Sequence, residues 1–132
     1  MEIKVSVEKA RVPVTVMHGE GNIDSSTYQS FQARADELID AGARYILIDL
    51  THVPFVSSAG LRAFHEIFNR LHSLSPDKND KEMHAGIAAG TYKSPHLKLL
   101  SPSKETIHTA KLAGFDMYIE IYRDFKSAIS SF

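Results

Sequence analysis

Apolar and polar residues change period several times along this chain, and each change marks an element. Ile3, Val5 and Val7 alternate with polar neighbours, Glu8 to Arg11 reads as a turn, and Val12, Val14 and Val16 alternate again. That pattern predicts an antiparallel hairpin. Pro13 cannot donate to a ladder, so the second strand is expected to have a free side or a bulge there, and Gly19 and Gly21 end it. After Asp24 the period becomes helical, with Tyr28, Phe31, Ala35, Leu38 and Ile39 forming one stripe. Ser26 and Gln29 stand at capping-box spacing, and Gly42 is placed to end the helix in a left-handed conformation.

The stretch from Arg44 to Leu71 organises the rest. Tyr45-Ile46-Leu47-Ile48-Asp49-Leu50 is short and nearly continuous in apolar character, as expected of a central strand covered on both faces. A helix opens at Ser57-Ser58-Ala59-Gly60-Leu61 and buries Leu61, Phe64, Ile67, Phe68 and Leu71. At about 100° per residue, Ser58, Arg62, His65 and Asn69 fall together on another face, starting where backbone N–H groups lack helical partners. The strand-helix-strand-helix order favours parallel pairing, which puts the turn from Thr51 to Ser57 at the carboxyl end of a strand. Open α/β sheets usually carry their function there.

Between Ser73 and His96 the pattern fails, with a polar run from Ser75 to Glu82. This reads as an insertion, either a loop or a short helix from Pro76 to about Met83. It leaves the far end of the serine helix, about 20 Å from Ser58 at 1.5 Å per residue. Lacking a buried stripe, it is expected to be dispensable for folding. Leu97-Lys98-Leu99-Leu100 predicts a strand, Ser101-Pro102 a helix cap followed by proline at the first helical position, and Gly114 that helix's end. Met117 to Tyr122 alternates as an edge strand with one wet face, and Phe125, Ala128, Ile129 and Phe132 predict a short terminal helix.

Composition narrows the function classes. With 132 residues the chain is expected to form one domain, residues 1–132, able to bury a core without staples. No cysteine occurs, which excludes disulfides and thiolate metal sites. A formal charge of −1 gives no electrostatic grip on nucleic acid or an anionic membrane. The start lacks a signal-peptide pattern and no apolar run approaches a membrane span, so a cytoplasmic location is expected.

The segment from Ile48 through Asp49-Leu50 to Ser57-Ser58-Ala59-Gly60-Leu61 resembles the signature of the STAS domain, the family of bacterial anti-sigma factor antagonists. The resemblance extends to Gly21-Asn22-Ile23-Asp24 and to Leu97–Leu100 with the helix ending at Ala113-Gly114-Phe115, leaving out roughly residues 73–96. It implies an α/β fold with a mixed sheet of about five strands and helices mainly on one side. It also implies a phosphorylation-controlled binding switch. In the family, the unphosphorylated protein binds a serine-kinase anti-sigma factor and frees a sigma factor, the kinase uses ATP to phosphorylate a serine and end the interaction, and a serine phosphatase resets it. On this resemblance the phosphoacceptor is Ser58. Where the family carries an aspartate this chain carries Ser57, which is the alternative acceptor. The partner-binding surface is expected to comprise Asp24, Pro54, Phe55, Ser57, Ser58, Arg62, His65 and Asn69. The protein would be a substrate and ligand, not an enzyme, without a cofactor.

Blander readings stand beside these. Ser58 can be an N-cap, with Ser57 as the competing cap. Gly60 can serve either close packing against the sheet or clearance for a partner. Asp24 and Asp49 suit backbone capping better than paired catalysis. The seven histidines show no metal-ligand spacing, and no Gly-x-Ser-x-Gly elbow surrounds Ser58, although His52 precedes it. The alternative function is a STAS scaffold or small-ligand module not switched at Ser58.

Overall fold

The computed structural model describes residues 1–76 and 78–132; Asp77, within the expected polar run, lies outside the described residues. Strands β1 (Glu2–Lys9) and β2 (Pro13–Glu20) form the predicted hairpin, followed by α1 (Tyr28–Asp40), β3 (Ile46–His52) and α2 (Ser58–Ser73). Then come α3 (Asp80–Ala89), β4 (Leu97–Leu100), α4 (Lys104–Leu112), β5 (Glu120–Tyr122) and α5 (Phe125–Ser130). The five strands lie in sequence order, β1 antiparallel to β2 and the others parallel. Because the crossovers are helical, β3 is buried on both faces, as its unbroken apolar run requires.

The two faces of β3 lead to two cores. Ile46, Ile48 and Leu50 join the larger one, with Phe31 and Ile39 of α1, Phe64 and Phe68 of α2, Met83 of α3 and Ala110 of α4. Leu47 points the other way, into a smaller cluster with Val14, Val16, Leu100, Ala128 and Phe132. Four helices therefore cover one face and α5 the other, so the fold is the α/β arrangement the family resemblance implied. Lys98 fastens α5: it is 3% exposed, and its Nζ donates to Ser131 O at 2.8 Å, lies 3.3 Å from Glu120 Oε1 and sits over the Phe132 ring.

Several local expectations need correction. Pro13, the first residue of β2, pairs with Lys9 alone and has the expected free side toward β3, whose pairing starts at Thr15; the bulge alternative does not apply there, the register irregularity lying between His18 and Glu20. The Ser26–Gln29 capping box does not form, because the Asp24 carboxylate is a stronger, charged acceptor and takes both the Ser26 N–H and its hydroxyl. Gly42 does turn left-handed after α1. The cap of α4 is Ser103, not Ser101, since Ser101 itself has a positive φ and Ser103 Oγ accepts from Thr106 N. The expected Met117–Tyr122 strand shortens to Glu120–Tyr122, because Phe115–Met117 winds into a 3-10 turn and Tyr118 enters the larger core.

The insertion differs most from expectation. Its helix starts at Asp80 with Asn79 as cap, rather than at Pro76, and it carries core side chains. Met83 is 5% exposed within the larger core, and Ile87 and Tyr92 pack against that core. The Phe68 ring meets Tyr92 edge-on, and His72 Nε2 lies 2.9 Å from Asp80 Oδ1, which ties the insertion to the carboxyl end of α2. Two apolar positions one turn apart and a lone tyrosine are too few to show as a period, which is why the stripe is not legible in the sequence.

Candidate functional site

The turn between β3 and α2 is built by neighbours on both sides. Ile23 N donates to Phe55 O, Ser57 N donates to Ile23 O at 2.9 Å, and Ile23 and Val56 form an isolated parallel bridge. Val56 N donates to Thr106 Oγ1 at 3.0 Å, and Thr106 is in turn held by Ser103 at the start of α4. Thr106 is buried and leaves no orphan N–H at Val56. Neither Ser103 nor Thr106 was legible as part of this site, since the bond from Val56 to Thr106 spans 50 positions and Ser103 acts only through Thr106.

Gly60 completes the anchorage by close packing. A Cβ there would meet Val56 Cγ1 at 2.6 Å and Ile23 O at 2.7 Å, and that carbonyl is already engaged by Ser57 N. Of the two readings of Gly60, packing is the one the geometry bears. Gly60→Ala is expected to lower stability by about 1–3 kcal/mol through overpacking, outweighing a helix-propensity gain of about 1 kcal/mol. A rise in the urea midpoint would contradict it.

This frame separates the two serines. Ser57 is the N-cap of α2, with extended backbone, and its Oγ accepts from Gly60 N. Ser58, the first residue of the helix, is exposed, and among the described residues no hydrogen bond engages its hydroxyl. The cap reading thus belongs to Ser57 and not to Ser58. Pro54 and Phe55 are exposed on the turn, and Arg62 and Asn69 continue the exposed side of α2. His65 sits at the edge of that side and is half-buried, its ring meeting Phe68 and Tyr118.

Burial pushes the Tyr118 phenol up to about 12, so at neutral pH it is protonated, and its hydroxyl lies within hydrogen-bond distance of His65 Nδ1, at 2.7 Å. Because folding favours the neutral phenol, its contribution is full below the unfolded value of about 10 and is lost as pH rises toward 12. Tyr118→Phe is expected to flatten the fall in stability over that alkaline window, read by urea titration at a series of pH values.

Asp24 stands beside Ile23, but its carboxylate is occupied locally. It accepts from Ser26 Oγ at 2.6 Å and Ser26 N at 2.9 Å, and the Ser26 hydroxyl followed by the Ser26 N–H holds its pKa below the ordinary value. Arg70 lies further along α2 and bridges to α1 through Asp36 at 3.0 Å and Asp40. Among the described residues, no cluster of histidine and acidic side chains suits a metal ion, and no helix is long and apolar enough to cross a membrane.

Solved structures share the fold. An anti-sigma factor antagonist from Mycobacterium paratuberculosis superposes with a TM-score of 0.70 at 18% identity, covering 98% of this chain and 93% of the other. An anti-sigma-factor antagonist (STAS) domain protein from Planctomyces limnophilus gives 0.66 at 16% identity, over 96% and 94% of the two chains. The Bacillus cell fate determinant SpoIIAA, in its phosphorylated form, gives 0.61 at 17% identity, over 97% and 96%. No curated protein matches the chain significantly by sequence. The STAS domain family model, however, matches residues 5–75, more than half of the chain and the whole of the Ser57–Ser58 frame, and the chain belongs to the STAS domain family.

Proposed function

We propose that this protein is an anti-sigma factor antagonist whose binding to a serine-kinase anti-sigma factor is switched by phosphorylation of Ser58. The unphosphorylated form sequesters the kinase and releases a sigma factor, ATP-dependent phosphorylation ends the complex, and a serine phosphatase restores it. The protein acts as ligand and substrate in the cytoplasm. The observation that carries this reading is the division of labour between adjacent serines. Ser57 spends its oxygen on the helix cap, while Ser58 presents an unengaged hydroxyl at the amino end of a long helix. A phosphate there meets the positive end of the helix dipole, so the fold tolerates it. The partner surface runs from Pro54 and Phe55 over Ser57 and Ser58 to Arg62, the His65 edge and Asn69, with Asp24 at its rim.

The test is capture of partners from host extract with and without ATP, followed by mass spectrometry of the Val56 to Leu61 peptide. The expected result is a kinase retained without ATP, released with it, and phosphate on Ser58. Phosphate on Ser57, or release without any phosphate, overturns the assignment. A second reading, a ligand-binding scaffold, draws on a cleft of about 670 Å³ beside α3, lined by Tyr45, His72, Asn79, Glu82, Tyr92 and His96. Retention of partners irrespective of ATP would favour it.

A further inference from the structure

Away from Ser58, three side chains from three adjacent strands form a hydrogen-bonded chain. Ser6 on β1, His18 on β2 and Asp49 on β3 lie on the face of the sheet opposite α1 and α2, with Ser6 paired to Val16 at the rim of the patch that α5 covers and the His18–Asp49 pair one row further on, diagonal to Ser6. His18 Nδ1 is 2.7 Å from Asp49 Oδ2, and His18 Nε2 is 3.0 Å from Ser6 Oγ. Asp49 is itself fixed, its Oδ1 accepting from Thr51 N at 3.0 Å and Thr51 Oγ1 at 2.6 Å. Burial alone would raise the Asp49 pKa, but the Thr51 and His18 hydrogen bonds hold it below the ordinary value, so Asp49 is a carboxylate.

The direction of each bond follows. A carboxylate can only accept, so Nδ1 carries the proton it donates. In neutral His18 this leaves Nε2 with its lone pair, and the hydroxyl of Ser6 donates to it. A nucleophile within reach of a base, with the base oriented by a third group, is the arrangement that activates serine. His18 and Asp49 keep 31% and 13% of their side-chain surface in solvent, and Ser6 stands on the edge strand, so a small reagent can approach. Lys4 and Glu20 are the charged neighbours on this face, 3.8 Å apart.

We propose that Ser6 is a nucleophilic serine, activated by His18 and oriented through Asp49, that accepts an acyl group from activated acyl donors such as aryl esters. Ser6 Oγ attacks the acyl carbon as its proton passes to His18 Nε2. The Oγ–C bond forms, the bond from carbon to the aryl oxygen breaks, and the departing phenolate leaves with its electron pair, the proton following from His18 to solvent. Backbone N–H groups of a sheet lie in its plane, so none points at an oxyanion standing above the face. The loss of such a donor costs about 10²–10³ in rate. Ser6 is therefore a stoichiometric acceptor whose acyl group persists, not the centre of a turnover enzyme, and its chemistry is independent of Ser58.

The test exposes the protein to excess p-nitrophenyl acetate at neutral pH, following p-nitrophenolate release and mapping acetyl groups by peptide mass spectrometry. One acetyl group per chain is expected on Ser6, absent in Ser6→Ala and slowed at least about a hundredfold in His18→Gln. Asp49→Asn should also slow it, with Asp49→Glu restoring part of the rate at an unchanged melting temperature. Acetylation confined to lysines, or an unchanged rate in His18→Gln, overturns the proposal. Should His18→Gln melt early, Ser6→Cys gives a second measurement on the intact triad. Its thiol should react with iodoacetamide faster than cysteine introduced at exposed Ser26, and equal rates overturn the proposal as well.

Discussion

Ser58→Asp is expected to bind the cognate kinase at least about a hundredfold more weakly than Ser58→Ala, a difference of about 2.7 kcal/mol, with both variants fully folded. A phosphoserine carries about −1.5 to −2 charges. In the free protein that charge is favourable by roughly 0.3–1 kcal/mol at the amino end of α2, and exposed Arg62 one turn on adds at most about 1 kcal/mol. In a docked interface the same group loses its water, and a partner carboxylate about 6 Å away repels it by roughly 5 kcal/mol at an effective dielectric near 20. Aspartate carries about half that charge, hence the smaller figure for the substitution. The same pair at Ser57 tests something else. Ser57→Ala removes the cap and should cost about 1 kcal/mol of stability, while Ser57→Asp keeps it. Calorimetric titration of the four variants separates the roles, and equal affinities for Ser58→Asp and Ser58→Ala would refute the switch.

Replacing Pro76 to Lys93 by a short Gly/Ser linker is expected to lower stability by roughly 4.5–9 kcal/mol, at about 1.5–3 kcal/mol for each of three large apolar side chains withdrawn from burial. Met83, Ile87 and Tyr92 all go, leaving Phe68 without its edge-on partner and Met83's space in the larger core open. Small domains have about 5–15 kcal/mol in total, so the shortened chain should melt far earlier or lose its cooperative transition. Met83→Ala alone should cost about 2–5 kcal/mol. A shortened protein that unfolds with the parental midpoint would show that the insertion is an appendage after all.

Alternation in Ile3 to Val7, the unbroken run of β3 and the stripes of α1 and α2 are local signals, so the hairpin, the parallel order and a helix opening around Ser57-Ser58 were all legible in the sequence. Each is written in the spacing of residues a few positions apart, and burial of one face enforces it. Which serine caps α2 was not decidable that way, because two adjacent hydroxyls have equal local claims. The bond from Ser57 N to Ile23 O and the packing of Gly60 against Val56 set where the first helical turn begins. Long-range partners account for the rest: Thr106 reaching Val56, Tyr118 drawing His65 toward the core, Met83 filling a gap beside Phe68's core, and Ser6, His18 and Asp49 aligning only once three strands are in register. Their sequence separations carry no period, so only the packed sheet and helices could bring them together.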